Sequence, residues 1–382
     1  MHVPGLCIVA GADQPDFGVQ PDVNPPILTR PKCDGKVVEI QAMRRSASEG
    51  DPEAMCGLVL VAMGETDVAF DAAQNIDLLM RAAQLGFAPA LRCLGLAAQA
   101  TGEPEAARQW FALASSRGDP VAVALLAVIC DDDAQRQSLH ALAATLGIKR
   151  SASRTGITAP VAQIAVPDNL PPAPDSSCFD IRQYEAVVHR KQPRLSTHLD
   201  VFSELDCEYV MALAQPSLQP SFVYDPTSGR PLRHPTRTSQ SMGFPDHDGD
   251  LWLRHLQRRV ARLAGLPLLN SERLAVLRYG IGEEYRPHRD YLRVGSPDET
   301  GHAGQRLTTA FCYLNDVESG GETDFPELSV RITPKRGVVV LFDNVDAEGA
   351  PDPTTLHAGM PIQSGEKWLA TSWFRPRRIR EF

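Results

Sequence analysis

At 382 residues with 43% hydrophobic side chains, the chain has apolar material for more than one packed core, and its length points to two or three domains. A formal charge of -9 gives no general attraction to nucleic acid or to an anionic membrane surface, so neither is expected as a partner. The 8 cysteines are widely scattered with no CxxC, and there is neither a basic-then-apolar leader nor a run of about twenty apolar residues, so a soluble, cytoplasmic protein is expected.

Residues 1–37 are rich in Pro, Gly and Asp, show no helical or strand period, and read as an irregular lead. From 38 to 150 the chain turns Ala- and Leu-rich. The motifs Gly50-Asp51-Pro52, Gly86-Phe87-Ala88-Pro89 and Gly118-Asp119-Pro120 recur at intervals in the thirties, the period of a helical solenoid. Each glycine can end one helix, and each proline suits the first turn of the next. The second turn lacks the Asp, and 64–75 reads as an insertion. This stretch resembles Sel-like repeats, relatives of the tetratricopeptide repeat. The resemblance implies a concave surface for a protein or peptide partner, with a buttress for the following domain as the other reading.

Between 151 and 195 the helical period fades, and Pro160, Pro167, Pro171, Pro172 and Pro174 suggest an extended connector. The remainder, 196–378, is β-rich after two helices. Ser203 with Asp206 makes a plausible cap for the first, and 250–264 carries the second. Strands are expected over 274–279, 307–315, 329–332, 337–343, 354–357 and 368–374, a spacing that suggests a jelly roll. The expected architecture is therefore multidomain α + β, with an N-terminal α-helical repeat solenoid followed by a C-terminal double-stranded β-helix.

The chemistry concentrates in Tyr285-Arg286-Pro287-His288-Arg289-Asp290 and in the block from His357 to Trp373. His288 and Asp290, two apart at a strand end, can face the same side. His357 would complete two imidazoles and one carboxylate, a set that holds Fe(II) on one face and leaves positions open for a chelating co-substrate and dioxygen. His198-Leu199-Asp200 has the same HxD spacing without that context. His234, His247, His255 and His302 fit surface or loop positions better than a second metal site. Lys367 lies ten positions beyond His357. If their strands run side by side, its ammonium can meet the far carboxylate of a keto-diacid, which points to 2-oxoglutarate.

With these residues go Leu277-Arg278-Tyr279-Gly280, Gln305-Arg306-Leu307-Thr308-Thr309, Tyr313-Leu314-Asn315-Asp316, Gly320-Gly321-Glu322-Thr323-Asp324-Phe325-Pro326, Pro334-Lys335-Arg336-Gly337 and Leu341-Phe342-Asp343-Asn344. Together they resemble the prolyl 4-hydroxylase branch of the Fe(II)- and 2-oxoglutarate-dependent dioxygenases, over about 198–376. The resemblance implies His288, Asp290 and His357 as iron ligands and Lys367, with Thr323 and Tyr279, as co-substrate partners. Tyr285, Arg306 and Trp373 would line the substrate cleft, with core packing or a surface ion pair as the other reading of each. The stretch from Tyr224 to Ser239 resembles a loop that folds over the substrate. Implied too are Fe(2+), 2-oxoglutarate, O2 and L-ascorbate as cofactors, and hydroxylation of a prolyl residue with release of succinate and CO2. Asp290, where chlorinating relatives leave room for halide, favours hydroxylation. Two substrates stay open: a proline-containing peptide or protein recruited by the repeats, or a free amino acid or small metabolite, with the repeats serving assembly.

Overall fold

A computed structural model describes residues 36–64, 70–148, 167–221, 223–224, 231–232, 238–245, 250–292 and 301–380. Seven helices lead: α1 Lys36–Ser48, α2 Pro52–Met63, α3 Ala72–Gln84, α4 Ala88–Ala100, α5 Pro104–Ser116, α6 Pro120–Val128 and α7 Asp133–Thr145. Each packs on its neighbours in sequence. The recurring turn explains the spacing. Gly50, Gly86 and Gly118 take positive φ of 100°, 75° and 82°, the left-handed conformation that ends a helix without a Cβ penalty. Asp51 and Asp119 then accept hydrogen bonds from the next helix's first turn, and Pro52 and Pro120 sit where an N–H has no helical partner. Phe87, which replaces the Asp in the second turn, makes no side-chain cap. Small residues bring the axes together: a Cβ on Gly95 of α4 would lie 2.5 Å from the Phe111 ring of α5. Phe111 is fully buried there, a contribution of about 1.5–3 kcal/mol for a side chain of that kind.

Three expectations for this half shift. Of the lead over 1–37, residues up to 35 lie outside the described ones, and α1 begins at Lys36. The end of the supposed insertion at 64–75 is helical, because Asp71 caps α3 through the Gln74 N–H. The connector expected over 151–195 is described from 167 and ends in a β-hairpin, β1 Ala186–Lys191 and β2 Arg194–His198. Its prolines stop short of β-branched Val187 and Val188, and Pro193 falls in the turn, where no ladder hydrogen bond is lost.

The other strands of the two larger sheets are β3 Gln219–Pro220, β4 Gln240–Gly243, β5 Ala275–Tyr279, β6 Tyr285–His288, β7 Thr308–Tyr313, β8 Thr323–Phe325, β9 Val330–Ile332, β10 Val339–Asp343, β11 His357–Gly359 and β12 Lys367–Phe374. They form an eight-stranded sheet in the order β1-β2-β10-β7-β12-β5-β4-β3 and a four-stranded sheet in the order β9-β8-β11-β6. Pairing is antiparallel throughout both. Alternation turns Phe311, Tyr313, Val340 and Phe342 of the large sheet towards Phe325 and Ile332 of the small one, which fills one end of the jelly roll. The strand expected over 354–357 begins only at His357. Pro353–Thr355 is a single 3-10 turn capped by Asp352.

Two helices, α8 Glu204–Ala214 and α9 Leu251–Ala264, cover the outer face of the large sheet. Ser203 and Asp206 form the reciprocal capping box expected for α8. The helical layer docks on this pair: α6 packs on α8, and α2 and α4 pack on α9. One apolar cluster runs without a break from Ala47 through Trp252 to Cys312. His255, expected at the surface, is fully buried in it against Phe179 and Trp252. It lies on the apolar stripe of an amphipathic helix, and burial pushes its pKa well below the ordinary value, with Arg259 and Arg258 adding to the effect.

Candidate active site

Strands β6 and β11 pair so that His288 stands directly opposite His357, with ring centroids 4.2 Å apart. Asp290 follows two residues past the end of β6. Its Oδ1 lies 3.6 Å from His288 Nε2 and 3.9 Å from His357 Nε2. Among the described residues this is the one cluster of three such ligand atoms, all within 4.8 Å of one another. The ring nitrogens facing away are also committed. His288 Nδ1 lies 2.9 Å from the Arg286 carbonyl and His357 Nδ1 lies 3.0 Å from the Thr355 carbonyl. A carbonyl only accepts, so each Nδ1 carries a proton, and Nε2 is the nitrogen of each ring left to ligate a cation. Burial raises the Asp290 pKa, but His357, His288, Arg306 and the Trp373 hydrogen bond outweigh it and hold the carboxyl below its ordinary value. A carboxylate beside two imidazoles that turn Nε2 towards it is a donor set that fits ferrous iron. His198, by contrast, sits on β2 with Nε2 3.1 Å from Ser196 Oγ, and takes no part in the cluster.

The cavity over this cluster extends to Lys367, whose position follows from register. At the start of β12 it pairs with Tyr279 of β5 and is 1% exposed. Its Nζ donates to the Gly321 carbonyl at 2.7 Å and stands 5.3 Å from the centre of the Tyr279 ring. The expected side-by-side strands are not found. β11 and β12 belong to different sheets, and His357 and Lys367 meet across the interior because the segment between them crosses from one sheet to the other. Burial pulls the Lys367 pKa down to about 7, with Glu322 opposing. Thr323 on β8 lines the same cavity and lies 2.7 Å from the Tyr313 hydroxyl, while Leu277, Phe311 and Leu369 supply apolar walls. A buried ammonium at the end of a largely apolar slot is suited to a carboxylate that reaches it from the metal.

The three residues expected to face substrate all border the cavity, in different ways. Tyr285 stacks on the His288 ring with centroids 3.4 Å apart. Arg306 is 2% exposed and turned to the protein. It forks onto Glu272 at 2.7 and 2.6 Å, donates to the Asp290 carbonyl at 3.2 Å, and lies 4.3 Å from the centre of a Trp373 ring. Trp373 donates through Nε1 to Asp290 Oδ2 at 2.9 Å. Burial raises the Glu272 pKa, yet Arg306 and Arg375 together hold it below its ordinary value. Glu272, Thr309, Tyr313 and Asn344 were given no role from the sequence. For Thr309 and Tyr313 the signal was present, since they alternate with Phe311 on the inward face of β7. Of the loop expected to cover the substrate, residues 225–230 and 233–237 lie outside the described ones.

The model of the 2OG-Fe(II) oxygenase superfamily matches residues 274–375. Prolyl 4-hydroxylase 1 of Arabidopsis thaliana is 34% identical over 218 residues, which is 53% of this chain and 76% of that one. Prolyl 4-hydroxylase subunit alpha-1 of Rattus norvegicus is 35% identical over 189 residues, 49% of this chain but only 35% of its own length. Among solved structures, viral collagen prolyl hydroxylase from Paramecium bursaria Chlorella virus-1, in complex with 2OG, is 27% identical, with 47% of this chain and 95% of that chain covered and a TM-score of 0.39.

Proposed function

We propose, from the premise that this chain belongs to the prolyl 4-hydroxylase branch of the 2OG-Fe(II) oxygenase superfamily, that it hydroxylates prolyl residues of a peptide or protein. 2-Oxoglutarate and dioxygen are consumed, and succinate and carbon dioxide are released. One observation carries the reading: His288, Asp290, His357 and the buried Lys367 border a single cavity. Fe(II) and 2-oxoglutarate are the cofactors the family implies. L-Ascorbate, as the reductant that restores ferrous iron after unproductive turnover, belongs to the proposal.

His288, Asp290 and His357 would hold the iron, which supplies the redox chemistry that activates dioxygen for insertion into a C–H bond. The chain's own part is binding and exclusion. Lys367 takes the far carboxylate of 2-oxoglutarate, with the hydroxyls of Thr323 and Tyr313 as neighbouring polar partners and the Tyr279 ring beneath the ammonium. Leu277, Phe311 and Leu369 keep water from the slot, which strengthens the ion pair at its end. Tyr285, stacked on a ligand imidazole at the cavity edge, is placed to meet the substrate ring and hold its target carbon near the reacting centre.

The proline assignment draws on the relatives, which are prolyl 4-hydroxylases by name. A second reading, a free amino acid or small metabolite as substrate, is favoured by the docking of the helical layer on α8 and α9, which spends part of that layer on assembly. Incubation with iron, 2-oxoglutarate, ascorbate and proline-containing peptides separates them. Peptides gaining the mass of one oxygen support the first reading. Succinate release that depends on an added metabolite, with every peptide unchanged, supports the second.

A further inference from the structure

The two oxygens of Asp290 have different neighbours. Oδ1 faces the two Nε2 atoms. Oδ2 accepts one hydrogen bond from Thr309 Oγ1 at 2.8 Å and another from Trp373 Nε1 at 2.9 Å. A carboxylate oxygen has two in-plane lone pairs, so two well-placed donors leave Oδ2 little with which to bind a cation. The direction of these bonds is fixed by chemistry. An indole N–H can only donate, and an ionised carboxylate can only accept, so the Thr309 proton points to Asp290. Thr309 Oγ1 must then be an acceptor towards Asn344, whose Nδ2 lies 2.9 Å away. Asn344 is fully buried, and its Oδ1 has no hydrogen-bond partner. A buried acceptor left unsatisfied costs free energy, so the amide is held in this orientation by what its other end does. Arg306, anchored by Glu272, fixes the Asp290 backbone from behind through its carbonyl.

We propose that Trp373 and the Asn344-Thr309 pair are positioning residues that occupy Asp290 Oδ2 and so restrict the aspartate to a one-oxygen ligand through Oδ1. The inference rests on the function proposed above and deepens it. A six-coordinate ion held by two imidazoles and one oxygen keeps three sites, enough for a two-point chelator and dioxygen together. With both aspartate oxygens engaged, one of those sites is lost, and the chelator and dioxygen compete. Trp373 therefore acts on the carboxylate through its indole N–H.

The test is metal and co-substrate binding measured separately, without turnover. Thr309→Val removes one donor at nearly constant volume, Trp373→Phe removes the other with a smaller ring in its place, and Asn344→Leu removes the group that orients Thr309. Cobalt(II) serves as the probe ion, read by its ligand-field spectrum and by calorimetry, followed by titration with 2-oxoglutarate in the absence of dioxygen. In the Thr309→Val, Trp373→Phe double variant we expect cobalt affinity equal to or tighter than wild type, 2-oxoglutarate affinity weaker by roughly tenfold, the scale typical of outer-shell changes, and an altered cobalt spectrum before the keto acid is added. A merely structural role would lower both affinities together and leave the spectrum of the bound fraction unchanged. That result, or variants that bind both as the wild type does, overturns the inference. A wild-type cobalt protein that does not take up 2-oxoglutarate would instead sink the functional reading beneath it.

Discussion

Arg92, in the middle of α4, forms a buried ion pair with Asp250, the N-cap of α9, while its other terminal nitrogen pairs with Asp119, the N-cap of α6. One guanidinium thus joins two helix N-termini of the helical layer and the oxygenase half. Both aspartates also accept backbone N–H groups from the turns they cap, so all three charges are fully committed. Removing the cation alone strands two carboxylates in the interior, and breaking a buried pair in this way costs about 3–5 kcal/mol. Arg92→Met should lower the unfolding free energy by that amount in a denaturant titration. Arg92→Met with Asp119→Asn and Asp250→Asn, which keeps both caps without charge, should recover most of the loss.

Truncation should expose the same dependence. A fragment beginning at residue 167 keeps both sheets but uncovers the faces of α8 and α9 on which α6, α2 and α4 pack. Such a fragment is expected to aggregate or to unfold well below the full chain, as size-exclusion chromatography and thermal melts would read. A fragment that is monomeric and equally stable would show that the helical layer is separable.

Loss of a ligand should abolish the metal site without unfolding the chain. His357→Ala leaves β11 paired with β8 and β6 but removes one of the two Nε2 donors. Iron affinity and succinate formation are expected to fall by more than about a hundredfold, the upper range already seen on disturbing a ligand's outer support. Calorimetric titration and a turnover assay on the same preparation check this, and a variant with full activity would end the assignment.

With Lys367 as the proposed partner of the co-substrate, its binding is expected to depend on pH. The Lys367 pKa is pulled to about 7 by burial, and a carboxylate binds the ammonium rather than the amine. Affinity for 2-oxoglutarate should be full below about pH 7 and fall as pH rises through it, by up to about tenfold per unit, until the pKa of the complex is reached. Stability of the ligand-free protein has the opposite slope from this group. The unfolded chain keeps the proton to near 10.5, so between about 7 and 10.5 it binds more protons than the folded one, and stability rises with pH. Lys367→Met should flatten both dependences. Titrations of wild type between about pH 6 and pH 9 that show constant affinity would contradict this.

The helical layer and the grouping of His288 with Asp290 were legible in the sequence because local rules set them. The Gly-Asp-Pro turns encode helix ends in three adjacent residues, and the HxD spacing encodes two side chains on one face. What the sequence hid depends on contacts between distant segments. That β11 and β12 lie in different sheets follows from how the barrel closes, which no local period records. Glu272 gains its importance from Arg306 and Arg375, 34 and 103 residues away. His255 looked like a surface group because one histidine on an amphipathic stripe cannot be told from its neighbours until the partner layer is known.

Because His288 and His357 are cross-strand partners and each is tied to a carbonyl two residues back in its own chain, the ligand set is written in the alignment of two backbones. A slip of a single residue between β6 and β11 would turn one imidazole outward while leaving most ladder hydrogen bonds available. Metal uptake during refolding is therefore expected to require correct alignment of these two strands, so regained β circular dichroism alone would not show that the site has formed.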